Sequence, residues 1–166
     1  DITKKAEAVL GETAVFGSNT STLPITGLAE ASVRPKNFIG IHFFSPVERM
    51  GLVEIIMGKE TSQETLAKAV DYVIKIRKTP ITVNDSRGFY TSRCFGTYTI
   101  EGMEMLSEGI APAIIENVGR MAGMPMGPLE VSDSVGIDTM LKIGRESAKV
   151  SGRSYEQNPV GDLVAW

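Results

Sequence analysis

Apolar and polar positions alternate in short blocks through the first half of the chain. Four segments have the pattern and length of strands: residues 14–16, 38–44, 52–57 and 79–84. Three stretches have helical spacing, one before the first strand (residues 2–10) and two between strands (residues 24–31 and 61–77). Pro24 suits the first turn of a helix, which needs no amide donor there, and Thr61 with Glu64 predicts a capping box. The alternation predicts an α/β domain in which helices pack on a sheet.

From Gly88 onward the apolar positions recur with the period of a helix only. The first predicted stripe contains Phe95, Tyr98, Gly102, Met105 and Leu106. The second contains Ile114, Ile115, Val118, Met121 and Ala122. A third helix is predicted to begin at Gly127 and Pro128 and to run towards Val150. The polar, turn-rich residues 84–88 separate the two patterns, so we predict a first domain over residues 1–85 and an all-helical, incomplete second domain over residues 86–166.

Composition and charge narrow the partners of the chain. Of its 166 residues, 42% are hydrophobic and 22% charged, and the net charge is −3, which is typical of a soluble globular protein without a basic face. We therefore expect no nucleic-acid partner. The longest apolar stretch is interrupted by Glu54 and is too short to cross a bilayer core of about 30 Å, so we expect no membrane span.

The cysteine content and the first residues bear on localisation. Cys94 is the single cysteine, which excludes an internal disulfide, and its aromatic neighbours predict a buried thiol. A reducing, cytoplasmic location is expected. The chain begins with Asp1, without an initiator Met or a secretory pattern, so we expect a fragment of a longer protein.

A βαβ pattern raises the question of a phosphate-binding glycine turn. No two glycines of the chain are separated by a single residue, so the dinucleotide fingerprint G-x-G-x-x-G is absent from the sequence. We expect the first βαβ unit, with the pyrophosphate site, to lie upstream of Asp1. The chain would then contain the nicotinamide half of the domain, and we expect it to be inactive alone.

His42 is the only histidine and lies within the apolar strand 38–44. If this strand and the next form a hairpin centred on Glu48, His42 lies directly opposite Glu54. Cross-strand neighbours have Cβ atoms about 5 Å apart, so the carboxylate could accept from the imidazole and raise its basicity. The pair fits a general base with its orienting partner. The alternative is a buried ion pair that serves only the fold.

Six segments, in order and spacing, resemble the 3-hydroxyacyl-CoA dehydrogenase family. They are SNTSTLPIT (18–26), FIGIHFFSPV (38–47), LVEII (52–56), DSRGFYTSR (85–93), MGPLE (126–130) and DSVGIDT (133–139). Within the family, the chain is more similar to the dehydrogenase part of the multifunctional α-subunits of bacterial fatty-acid oxidation complexes than to the stand-alone enzyme.

The resemblance implies a fold, an activity and partners. The fold would be the C-terminal half of a Rossmann-like NAD-binding domain, followed by the start of a helical domain like the C-terminal domain of 6-phosphogluconate dehydrogenase. The activity would be NAD-dependent oxidation of the 3-hydroxyl of an L-3-hydroxyacyl-CoA in fatty-acid β-oxidation. A homodimer and, in the parent complex, a thiolase β-subunit are the implied protein partners.

The resemblance also assigns roles to individual residues. His42 would be the catalytic base and Glu54 its partner, while Ser21 would contact both substrate and cofactor. Ser45 and Ser92 stand where the family usually has asparagines that contact the cofactor and the acyl-CoA. Serine has shorter reach and lacks the second donor of asparagine, so we expect contacts there through water.

Other features favour structural interpretations. Asp133 and Asp138 have no histidine or cysteine nearby, so we expect no metal site. A related β-hydroxyacid dehydrogenase is an alternative class, but such enzymes rely on a lysine-based site in the helical region, and the His42–Glu54 pair argues against it. The remaining alternative is a non-catalytic structural or dimerisation fragment.

Overall fold

A computed structural model describes residues 2–142 and residue 145 of the chain. The helices are α1 (Ile2–Glu7), α2 (Ile25–Ala29), α3 (Gln63–Lys75), α4 (Thr91–Ser107), α5 (Pro112–Met121) and α6 (Pro128–Val135). The strands are β1 (Phe16–Ser18), β2 (Phe38–Phe43), β3 (Leu52–Met57) and β4 (Thr79–Asn84), and a short 3-10 turn (Pro35–Asn37) precedes β2.

The four strands form one mixed sheet in the order β1-β2-β3-β4 within the described residues. β1 is parallel to β2, β2 and β3 form an antiparallel hairpin, and β3 is parallel to β4. The strands lie where the sequence predicts them, except that β1 is later than the predicted 14–16. Pairing of Phe16 with Phe38 sets the start of β1, because the ladder to β2 begins there.

Alternating side chains divide the hydrophobic core between the two faces of the sheet. One cluster contains Ile25 and Ala29 of α2 with Phe38, Ile56 and Phe89. The other contains Ala69 and Val73 of α3 with Ile39, Val53 and Ile55. Helices thus cover both faces, and the predicted α/β class is confirmed.

Gly40 allows α2 to approach the sheet closely. A Cβ atom at this position would lie 2.8 Å from Ile25 Cδ1 and 2.9 Å from Ile56 Cβ. Any side chain there would displace Ile25, which is fully buried. The glycine therefore fixes the packing of α2 on the face that also carries His42 and Glu54.

The predicted capping box at the start of α3 is wrong. The N-cap is Ser62, whose side chain accepts from the Thr65 amide. The Thr61 hydroxyl instead donates to the Phe38 carbonyl at 2.7 Å, and Glu64 pairs with Lys68 at 2.8 Å. A tertiary hydrogen bond to the strand thus replaces the local cap that the sequence suggests.

Helix lengths also differ from the predictions. α1 ends at Glu7 and not at residue 10, and α2 spans only Ile25–Ala29. The third predicted helix of the second half ends at Val135, because Gly136 has a left-handed φ of 88°. Helical residues continue over 137–142, while 143–144 and 146–150 of the predicted helix lie outside the described residues.

The chain divides into two compact units, Asp1–Arg93 and Cys94–Trp166. In the second unit, the Glu116 carboxylate accepts from the amides of Leu129 and Glu130 at the start of α6. The Tyr98 hydroxyl donates to the Met126 carbonyl at 2.9 Å. These bonds attach the loop before α6 and its first turn to α4 and α5.

Of the two apolar stripes predicted for the second unit, only Gly102 and Ile115 are buried. On α4 the buried residues are Thr99, Gly102 and Met103, and on α5 they are Ile115 and Gly119. Cys94 is exposed, so its prediction as a buried thiol is wrong. Ile114, Val118 and Met121 are exposed on α5.

None of the helices in the described part of the chain is long and apolar enough to span a membrane.

Candidate active site

The β2–β3 hairpin brings His42 and Glu54 together. The two residues are paired in the antiparallel ladder, as the symmetry of the loop around Glu48 predicts. His42 Nδ1 lies 2.7 Å from Glu54 Oε2, and both side chains are almost inaccessible, at 8% and 0% exposure. The predicted pairing is confirmed, on a sheet face otherwise occupied by the apolar cluster around Phe38 and Phe89.

Glu54 is fully buried, and each of its oxygens accepts two hydrogen bonds. Oε1 accepts from the amides of Tyr90 (3.1 Å) and Thr91 (2.8 Å). Oε2 accepts from His42 and from the Thr91 hydroxyl at 2.8 Å. Burial raises the pKa of Glu54, but the His42 imidazole, the Thr91 amide and hydroxyl and the Tyr90 amide together lower this pKa below its ordinary value. The carboxylate is therefore ionised at neutral pH.

An ionised Glu54 determines which nitrogen of His42 is protonated. A carboxylate only accepts, so Nδ1 must carry a hydrogen, and Nε2 of the neutral ring keeps its lone pair. Nε2 has no hydrogen-bond partner among the described residues. The imidazole ring packs against those of Phe44 and Phe89, whose centroids are 4.5 and 6.0 Å away. This arrangement presents a base whose opposite edge is fixed by an anion.

The three serines predicted from the resemblance occupy different surroundings. Ser92 Oγ lies 3.5 Å from the Ser21 carbonyl oxygen, so the structure brings these two residues together. Ser45 is exposed and lies just past the end of β2, three residues after His42. Within the described residues, no hydrogen bond connects Ser45 to the other candidate residues. The roles of all three serines stay predictions.

The hydrogen bonds made by residues 85–91 are the part of the site that the sequence does not reveal. Both oxygens of the Asp85 carboxylate bind α2, accepting from the amides of Ile25 and Thr26 at 2.8 Å each. The Gly88 amide donates to the Thr22 carbonyl at 3.1 Å. Together with the Tyr90 and Thr91 amides on Glu54, these bonds connect the Ser21 loop to the histidine partner. Apart from the turn-forming Gly88, no local pattern signals these long-range contacts.

The described part of the chain contains no set of side chains suited to bind a metal ion. No group of three or more His, Cys, Asp or Glu side chains there could hold a metal ion. Glu54, the buried acid nearest to His42, has all its acceptor capacity used by hydrogen donors. The arrangement of these residues is suited to proton transfer.

Comparisons with known proteins agree with the α/β fold and with the proton-transfer site described above. Residues 1–86 match the family model of the 3-hydroxyacyl-CoA dehydrogenase NAD-binding domain, and residues 88–165 match that of the C-terminal domain. The chain belongs to the 3-hydroxyacyl-CoA dehydrogenase family. The resemblance inferred from the sequence is confirmed.

The chain spans only part of the length of the relatives and solved structures that it matches. It is 43% identical over 153 residues to a fatty acid oxidation complex subunit alpha of Shewanella baltica, covering 92% of this chain but only 22% of that protein. The structure is similar to (S)-3-hydroxybutyryl-CoA dehydrogenase from Ralstonia eutropha (TM-score 0.88, 35% identity), covering 99% of this chain and 59% of the other. A 3-hydroxybutyryl-CoA dehydrogenase from Escherichia coli K12 superposes with a TM-score of 0.83 at 28% identity, over 92% of this chain and 33% of the other.

Proposed function

We propose that this chain carries the proton-transfer half of an NAD-dependent L-3-hydroxyacyl-CoA dehydrogenase of fatty-acid β-oxidation. The observation that carries the proposal is the buried His42–Glu54 pair, whose Nε2 has no hydrogen-bond partner in the part of the chain that the structure describes. In this reaction the 3-hydroxyl becomes a ketone. The hydroxyl proton passes to Nε2 of His42, and the developing imidazolium is stabilised by the Glu54 carboxylate.

The residues present fit the nicotinamide side of the cofactor. β1 and β2 are parallel neighbours whose carboxyl ends are followed by Ser21 and Ser45, and ligands of such sheets bind beyond the carboxyl ends of strands. Bound NAD would accept the hydride that leaves C3 of the substrate. We propose that Ser21 and Ser45 contact the nicotinamide side, and that Ser21 and Ser92 contact the acyl-CoA.

The missing glycine turn leads to a separate expectation. The sequence contains no G-x-G-x-x-G, so the 166-residue chain lacks the motif that binds pyrophosphate at a helix N-terminus. We expect the chain by itself to bind NAD far more weakly than the larger protein that contains it. Calorimetry with NAD measures this, and micromolar affinity for the 166-residue chain would contradict the expectation.

The protein partners and location are also proposals. The chain spans about 22% of the length of the fatty acid oxidation complex subunit it matches. We propose that the parent protein acts in the cytoplasm, and that it assembles with a thiolase β-subunit. We further propose a first domain over residues 1–85 and a helical substrate and dimerisation domain over residues 86–166.

The activity is tested on the protein that contains this chain. Purified protein is mixed with NAD and either the L or the D isomer of 3-hydroxyacyl-CoAs of several chain lengths, beginning with 3-hydroxybutyryl-CoA, and NADH formation is followed by absorbance. We expect NADH with the L isomer only. Absence of turnover with the L isomer at any chain length, by protein whose folding is verified, would contradict the proposal.

A non-catalytic dimerisation module is the second candidate, and the exposed apolar row on α5 favours it. Ile114, Val118 and Met121 are 57%, 51% and 86% exposed and share one side of the helix. A homodimer would cover this row. We expect Met121→Glu to convert a dimer to a monomer, as measured by light scattering. The control is Tyr72→Glu on α3, a half-exposed residue outside this row, which should leave the mass unchanged. A monomeric wild type at micromolar concentration would eliminate this candidate.

A further inference from the structure

Thr91 contacts both oxygens of the buried Glu54 carboxylate. Its amide donates to Oε1 at 2.8 Å and its hydroxyl to Oε2 at 2.8 Å. Oε2 is also the oxygen that binds His42 Nδ1 at 2.7 Å. The hydroxyl and the imidazole therefore share a single acceptor atom, and the two-point contact of Thr91 fixes the plane of the carboxylate.

The local backbone shows how the chain places Thr91. Gly88 and Phe89 both have left-handed conformations, with φ values of 74° and 48°. A left-handed conformation is costly for a bulky residue and persists only where its surroundings enforce it. Phe89 is buried in the core cluster, which anchors the turn. The turn directs the next two amides, those of Tyr90 and Thr91, towards Glu54.

We propose that Thr91 is a positioning residue for His42, because its hydroxyl sets how much of the Glu54 charge acts on the imidazole. A hydrogen bond to Oε2 withdraws electron density from that oxygen and weakens its attraction for the imidazolium. The hydroxyl also prevents the carboxylate from rotating away from Nδ1. The importance of this effect for turnover rests on the proposed dehydrogenase function.

Other charged groups around the pair are engaged elsewhere or exposed. The Asp85 carboxylate binds the α2 amides, and Glu30 after α2 is exposed. Arg87 and Arg93, on either side of the left-handed turn, are also exposed, and so is Tyr90. Among the described residues, His42 is the only titratable side chain in contact with Glu54. The charge balance of the pair therefore depends on the neutral donors, of which Thr91 Oγ1 is the one a substitution can remove.

The 166-residue chain offers a direct measurement, because it contains one histidine. The ring protons of His42 are followed by NMR as a function of pH in wild type and in Thr91→Val, which keeps the shape and the amide but removes the hydroxyl. We expect the midpoint of the ring titration to rise by roughly half a pH unit in Thr91→Val. Thr91→Ser should restore the wild-type midpoint. Thr97→Val is the matched control on α4, since the Thr97 hydroxyl bonds only the Cys94 carbonyl.

The outcomes separate this inference from the proposed function. An unchanged or lower midpoint in folded Thr91→Val overturns the inference, whatever the activity of the parent protein. If Thr91→Val does not fold, Thr91→Ala removes the same hydroxyl with no added bulk, and the same criterion applies. In the parent protein, we expect the acidic limb of the turnover profile to move to higher pH in Thr91→Val. A shifted NMR midpoint in a protein without dehydrogenase activity would support the inference and contradict the function.

Discussion

Two buried glutamates of the first unit, Glu7 and Glu54, meet the same physical problem with different partners. Glu7 on α1 is 4% exposed and Glu54 is 0% exposed. The Glu7 carboxylate accepts from the Ser32 hydroxyl and from the Val33 amide at 2.8 Å. Glu54 accepts from two amides, the Thr91 hydroxyl and His42. Both charges are thereby compensated, as buried charges must be.

The pKa of each carboxyl reflects this compensation. Burial raises the pKa of Glu7, but the Ser32 hydroxyl, the Val33 amide and the charge of Arg34 together hold this pKa below its ordinary value. The Arg34 guanidinium also binds the carbonyls of Glu7 and Gly11 at the end of α1, at 2.7 and 2.8 Å. These partners stay in one protonation state near neutral pH, so the Glu7 cluster can only anchor structure.

The Glu54 cluster contains one partner, the His42 imidazole, with a second nitrogen that can accept a proton, and this difference separates a structural carboxylate from one that can assist catalysis. His42 can gain a proton at Nε2 while Nδ1 remains bound to Glu54. A buried glutamate alone is therefore no sign of an active site. A buried glutamate bonded to a histidine with an unpartnered nitrogen provides a base together with its stabilising charge.

The largest expected effect follows removal of the titratable partner. His42→Ala in the parent protein should lower dehydrogenase turnover roughly 10²–10⁴-fold, because the proposed general base is lost. His42→Gln is a second variant whose amide can still donate to Glu54, which limits the destabilisation from an unpaired buried charge. NADH formation measures the loss, with circular dichroism as the folding control. Near-normal turnover in both folded variants would reduce His42 to a structural residue like Ser32.

Exchanging each glutamate for glutamine tests the comparison directly. In Glu54→Gln, the amide carbonyl can keep the Tyr90 and Thr91 bonds while its NH₂ donates to Nδ1. The ring proton then resides on Nε2, the nitrogen proposed to act as the base, so we expect turnover to fall roughly 10²-fold or more with little change in fold. The acidic limb of any remaining pH profile should move to lower pH. Glu7→Gln is the matched control and should keep wild-type turnover. Equal losses in both variants would abolish the distinction.

Much of the Glu54 site could be predicted because hairpin geometry is local. A short loop centred on Glu48 fixes the register of β2 and β3, and the register alone places His42 opposite Glu54. A polar residue on each of two apolar strands marks the pair in the sequence. The donors from Tyr90 and Thr91 lie 36 and 37 residues away from Glu54, and their direction depends on two left-handed residues that no periodicity indicates.

The Glu7 cluster could not be predicted for a related reason. Its partners lie 25 and 26 residues downstream, beyond β1 and α2, and no strand pairing relates them to α1. The pattern of residues 2–10 predicts one helix, yet α1 ends at Glu7, where the Arg34 guanidinium binds the Glu7 carbonyl. Similarly, Ser62 replaced Thr61 as the α3 cap because the Thr61 hydroxyl binds the Phe38 carbonyl. Tertiary hydrogen bonds decided each of these cases.

A smaller effect is expected on stability when Glu7 is neutralised. Glutamine keeps one acceptor for the Val33 amide but loses the charge that faces Arg34. We expect Glu7→Gln to lower the free energy of unfolding by about 1.5–3 kcal/mol, the range for a hydrogen bond to a charged group. Urea unfolding of the 166-residue chain near neutral pH measures the change. The exposed Glu12→Gln is the control, and a Glu7 variant as stable as that control would show that the cluster contributes nothing.

The smallest expected effect is a change in how stability depends on acid. The folded pKa of Glu7 and that of Glu54 lie below the ordinary value of 4.5, so the unfolded chain binds protons first as the pH falls. Their contribution to stability is fully present above that value and is lost as the pH falls through the lowered folded pKa. We expect the free energy of unfolding of wild type to be nearly constant from neutral pH to roughly pH 5.5 and to decrease below that. Glu7→Gln lacks one of the two carboxyls, so its decrease should be shallower, by at most about 1.4 kcal/mol per pH unit. The exposed Glu64, whose pKa the Lys68 ammonium also lowers, is present in both proteins and cancels from the difference. Urea unfolding at a series of pH values gives both slopes, and parallel slopes would mean that Glu7 is not held as an anion in the folded chain.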